Sequence, residues 1–62
     1  MELKVPSMAC SACSDTITKA IKTVDPNAVV QADPKTKLVN VTTNKPETEI
    51  REAIASAGYP VT

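Results

Sequence analysis

Sixty-two residues with seven basic and seven acidic side chains, and so no net charge, suffice for one domain (residues 1–62) and show no basic run or basic–aromatic stripe for nucleic acid. There is no apolar stretch of the ~18 or more residues needed to cross a bilayer, so membrane insertion is not expected. With no Phe, no Trp and a single Tyr, the core must be built from Val, Ile, Leu and Ala, which leaves little room for the deep aromatic-lined pocket of a small-molecule enzyme.

Residues 1–5 alternate, placing Leu3 and Val5 on one face and Glu2 and Lys4 on the other, as in a half-buried strand that Pro6 ends. This opening has no apolar core of a secretory leader, and its initial Met favours a free-standing chain, so a cytoplasmic location is expected. Ser7 to Ala12 is a run of small residues that reads as a loop. From Cys13 the period changes to that of a helix: Cys13, Ile17, Ala20, Ile21 and Val24 share one face, with Lys19 and Lys22 pointing away. Ser11 is the expected N-cap, and Asp15 would fall in the first turn, where the helix dipole favours negative charge. Asp25-Pro26-Asn27 stops the helix.

A second strand follows, with Ala28, Val30 and Ala32 on one face, and Asp33-Pro34-Lys35-Thr36-Lys37 turns it back. The third strand runs from Leu38 to Thr43 with Val39 and Val41 inward. Pro46 suits the first position of a second helix, whose buried stripe is Ile50, Ala53, Ile54 and Ala57 and whose C′ residue is Gly58. Tyr59 to Thr62 would form a short final strand, at a sheet edge because Pro60 has no N–H to donate. The order β-α-β-β-α-β predicts an α+β, ferredoxin-like sandwich: two helices on one face of a four-stranded antiparallel sheet.

Chemistry concentrates in Met8-Ala9-Cys10-Ser11-Ala12-Cys13. A stapling disulfide would join distant segments, whereas closing so short a loop removes little unfolded-state entropy. At a helix start, unpaired N–H groups and the dipole favour thiolates, which are the species that bind metal. Structural zinc commonly takes four Cys or His ligands, but the chain has two Cys and no His. Two thiolates can satisfy Cu(I), and such an open site admits an incoming thiolate before an outgoing one leaves. The same Cys-x-x-Cys spacing also occurs in dithiol–disulfide redox proteins, but those usually carry aromatic and proline neighbours where Ser11 and Ala12 stand here.

The Met-x-Cys-x-x-Cys loop between first strand and first helix, in a chain of this length and order, resembles the heavy-metal-associated domain, and within it the free-standing copper metallochaperones of bacteria, cyanobacteria in particular. The resemblance covers essentially the whole chain, including Ala55-Ser56-Ala57-Gly58-Tyr59. It implies Cu(I) held by Cys10 and Cys13, transfer by thiolate exchange to the similar domain of a copper-transporting P-type ATPase, and copper-bridged homodimers. Met8 is expected to pack beneath the loop, in agreement with the resemblance. Tyr59 is expected either to donate a hydrogen bond toward a cysteine sulfur or to cover the core edge with its hydroxyl in water, and Ala9, Ser11, Ala12 and Pro60 are the expected docking residues. Ser7 stands where a Gly often precedes the motif Met. Position 59 varies in the family among Tyr, His and Lys, and Tyr offers no third nitrogen ligand. Asp15 lies close to the loop, and nearby carboxylates accompany zinc or cadmium in some members of the family; a zinc-, cadmium- or mercury-binding domain of a transporter is the alternative.

Overall fold

A computed structural model describes all residues, 1–62, in the order β1 (Glu2–Lys4), α1 (Ser11–Val24), β2 (Val29–Asp33), β3 (Leu38–Thr42) and α2 (Glu47–Ser56). The three strands form an antiparallel sheet in the order β1-β3-β2. Its register sets Leu3 opposite Val39 and Val30 opposite Val41, so the inward residues of all three strands line one face. Both helices pack on that face. Leu3, Val5, Met8, Ile17, Ile21, Ala28, Val39, Val41, Ile50 and Ile54 make one continuous core. Truncating one of its buried Ile side chains to Ala should cost roughly 2–5 kcal/mol, a large share of a small domain's stability. No helix is long and apolar enough to cross a membrane.

The α+β, ferredoxin-like architecture is as expected except at the chain's end, where the expected fourth strand from Tyr59 to Thr62 is not formed. The tail is tied to β1 by one backbone bond, from Thr62 N–H to the Lys4 carbonyl at 3.0 Å. Pro60 lacks the donor that a further rung would need, so the segment lies alongside the sheet without forming a ladder.

Helix starts also differ from expectation. α1 begins at Ser11, not Cys13, with Cys10 as its N-cap in extended conformation and no side-chain cap bond. Ser11 is therefore the first helical residue, not the cap, and Asp15 lies beyond the first turn, which contains no acidic residue. Pro46 is the N-cap of α2 where it was expected one position later, and Glu47 and Glu49 occupy that first turn. The end of α2 follows expectation. Gly58 has φ +97, and the N–H groups of Gly58 and Tyr59 donate to the carbonyls of Ala55 (3.0 Å) and Ile54 (3.2 Å). This is the Schellman arrangement, and it delivers Tyr59 back toward the core at the end of the molecule that carries the cysteine loop.

Candidate metal centre

Two anchored points flank the cysteine loop. On one side a turn closes after β1, with Met8 N–H donating to the Val5 carbonyl at 3.0 Å, and the Met8 side chain is fully buried in the core. On the other side α1 begins, its first helical bond running from Ser14 N–H to the Cys10 carbonyl at 3.2 Å. Between them Ala9 and Cys10 are exposed, while Cys13, on the inner face of α1, is half-buried against the core. Both cysteines are free, with Sγ atoms 3.1 Å apart. A disulfide would bring them to about 2.05 Å. One ion bonded to both at about 2.3 Å would instead require them to spread to roughly 3.7–4.6 Å, from tetrahedral to linear geometry. Cys10 has solvent beside it, whereas Cys13 packs on the core.

Cys13 ionises easily. Its pKa is pulled from 9.0 to about 7, first by a hydrogen bond from the Tyr59 hydroxyl, then by the Cys10 thiol and by the backbone N–H groups of Ala9 and Cys10, partly opposed by desolvation. The same contact pushes the Tyr59 hydroxyl upward, because losing its proton would cost it the bond to Cys13 and place it beside negative sulfur. No third Cys, His, Asp or Glu joins the pair in a group that could hold a metal ion. Asp15, exposed on α1, therefore forms no ligand cluster with the cysteines. What the structure assembles is a two-sulfur donor set, one sulfur anchored and partly ionised near neutral pH and the other accessible. Soft ions content with few thiolate ligands suit it.

Ala9, Ser11, Ala12 and Pro60 are all exposed, as docking residues would have to be. Met8 offers no sulfur to an ion at the surface, because its thioether lies inside the core. Two further residues at this end were not singled out from the sequence. Ser14 is the one buried polar residue, its Oγ donating toward the Cys10 carbonyl at 3.5 Å. Its place one turn before Ile17 and two before Ile21 was a readable signal. Lys37, from the β2–β3 turn, reaches across the fold to donate from Nζ to the Met8 carbonyl at 3.1 Å. No local periodicity encodes a contact between residues 29 positions apart.

Residues 2–60 match the heavy-metal-associated domain. The chain belongs to that family. As a heavy-metal-associated domain it resembles the copper chaperone Atx1 from Synechocystis PCC6803 in its Cu2 form. The two share 44% identity with a TM-score of 0.96, over all of this chain and 98% of that one. A structure described as a gold binding protein superposes with a TM-score of 0.95 at 39% identity, covering 98% of this chain and 94% of that one. The periplasmic component of the mercuric transport protein of Shewanella putrefaciens is 38% identical over 63 residues, 97% of this chain and 69% of its own. These three proteins are named for copper, gold and mercury, three soft metals.

Proposed function

We propose that this heavy-metal-associated domain is a cytoplasmic copper metallochaperone. It carries Cu(I) between the thiolates of Cys10 and Cys13 and passes it to the corresponding domain of a copper-transporting P-type ATPase. The observation that carries the reading is the bare pair of sulfurs, 3.1 Å apart and joined by no third ligand. Cu(I) is stable with two thiolates and also accepts a third, so cargo can move without ever leaving sulfur. A thiolate of the receiving protein bonds to Cu(I), the bond to exposed Cys10 breaks, and a second incoming thiolate then displaces Cys13. Copper stays Cu(I) throughout, and each released cysteine is free to take a proton from water. Ala9, Ser11, Ala12 and Pro60 supply a surface of small side chains over which a partner loop can approach, and two loaded copies could share one ion in the same way. The chain acts as a carrier with no catalysed turnover.

A second reading has one observation in its favour: the likeness to periplasmic mercuric transport components. Hg(II) also accepts two thiolates. An anaerobic titration of the reduced protein with Cu(I) against a chromogenic competitor, with Zn(II) and Hg(II) run alongside, separates the two. The copper reading requires tight one-to-one Cu(I) binding, far stronger than Zn(II) binding. Weak Cu(I) binding beside tight Hg(II) binding would replace it with the mercury reading.

A further inference from the structure

Lys37 sits in a backbone conformation that lysine rarely chooses. Its φ is +63, in the left-handed region where Gly and Asn are usual and a Cβ is penalised. It is held there at both main-chain groups: its N–H donates to the Asp33 carbonyl at 2.8 Å, and its carbonyl accepts from Val5 N–H at 2.9 Å. The side chain is half-buried, and the molecule's one ion pair, Arg51 with Glu47, does not involve it. Its ammonium donates instead to the carbonyl of Met8 at 3.1 Å. A hydrogen bond from a charged donor is roughly twice as strong as a neutral one, and stronger still where water is partly excluded.

Met8 is thereby fixed three ways: by its N–H to Val5, by its buried thioether, and by its carbonyl to Lys37. One residue, Ala9, separates it from Cys10, the N-cap of α1. The carbonyl is the last main-chain group before that tether, so fixing it fixes the direction in which the chain leaves toward Cys10.

We propose that Lys37 is a positioning residue for the metal loop, its ammonium clamping the Met8 carbonyl so that Cys10 is presented to the ion from a fixed origin. The proposal rests on the reading of Cys10 and Cys13 as the metal-carrying pair. Through this clamp the β2–β3 turn, which contributes no ligand, sets how firmly the exposed cysteine is held and hence how fast cargo leaves. The clamp uses neither cysteine sulfur, so it can order the loop independently of the ion.

The test compares Lys37→Met, which keeps the stem and loses the charge, with Lys37→Arg, which keeps a cation. Two quantities are read: hydrogen exchange of the Met8 amide in the metal-free protein, and the rate of Cu(I) release to a competing thiol. Lys37→Met should raise Met8 exchange about tenfold, leave the Ile54 amide in α2 unchanged, and speed Cu(I) release several-fold, with Lys37→Arg close to wild type. Met8 exchange within twofold of wild type in Lys37→Met overturns the proposal. So does an equal rise at Ile54, which would mean a general loss of stability, or a Lys37→Arg variant that behaves like Lys37→Met. Should the wild-type protein not bind Cu(I), the function proposed above falls, while the exchange data still decide whether Lys37 clamps the loop.

Discussion

The two helices begin in contrasting ways. Neither N-terminus has a side-chain cap bond. α2 meets the positive end of its dipole with two carboxylates of its own, Glu47 and Glu49, and Glu47 is further paired with Arg51 at 2.7 Å. α1 carries no acidic residue in its first turn and has a cysteine at the N-cap and another at the third helical position. Each helix therefore presents unpaired N–H groups to something negative, permanent carboxylate in one case and conditional thiolate in the other. α2 is electrostatically complete as folded, whereas α1 becomes complete only when its thiols ionise or take up a soft cation. Omitting local stabilisation at one helix end leaves a site there.

The strongest way to break this comparison is to remove a sulfur. Cys10→Ser or Cys13→Ser should each lower Cu(I) affinity by several orders of magnitude, since a hydroxyl is a poor ligand for a soft ion. Unchanged affinity in both variants, measured by competitive titration, would end the two-thiolate account. Their stabilities should differ, because Cys10 is exposed and Cys13 packs on the core. In urea unfolding of the metal-free proteins, Cys10→Ser should stay within about 0.5 kcal/mol of wild type and Cys13→Ser should lose more.

A smaller effect comes from the group that makes the α1 thiolate easy to form. Tyr59→Phe removes the foremost cause of the low Cys13 pKa, which should climb from about 7 toward 9.0. Alkylation rate against pH reports this directly, as a midpoint moved to higher pH. Cu(I) affinity at neutral pH should fall about tenfold, as is usual when a partner of a ligand is lost. Because folding depresses this pKa, ionised Cys13 favours the folded state fully above pH 9.0, and that contribution is lost as pH falls through about 7. In Tyr59→Phe the metal-free protein should show a weaker dependence of stability on pH across that window, and a profile identical to wild type would separate Tyr59 from Cys13.

At the other helix the change should be smallest. Glu47→Gln removes one first-turn charge and the pairing with Arg51, both solvent-exposed, and should cost about 0.3–1 kcal/mol in urea unfolding. Cu(I) affinity should not move, and a shift in it would show that the two helix ends are not independent.

Much of this was readable from sequence because it is local. The stripe of Ile17 and Ile21, the alternation of Val39 and Val41, and the Gly58 terminator each depend on neighbours within a turn or two, and each is found as expected. The Cys10–Cys13 spacing is equally local, and the structure brings the two sulfurs together. What was not legible depends on distant or competing contacts. The start of α1 moved to Ser11 because the backbone of Cys10 accepts the first helical bond without any side-chain cap. The segment from Tyr59 to Thr62 makes one bond to β1 and no ladder, because Pro60 has no N–H to donate. The sequence around Lys37 signals only a turn, and nothing short of the folded chain could show its ammonium at Met8.

The placement of Tyr59 has an optical consequence. With no Trp and no Phe in the chain, it is the only aromatic ring, and its hydroxyl is the foremost influence lowering the Cys13 pKa. Fluorescence excited in the near ultraviolet therefore originates solely at the cysteine pair, with no background from the aliphatic core. A heavy ion entering there should quench it, so loading and unloading can be followed in the unlabelled protein in real time.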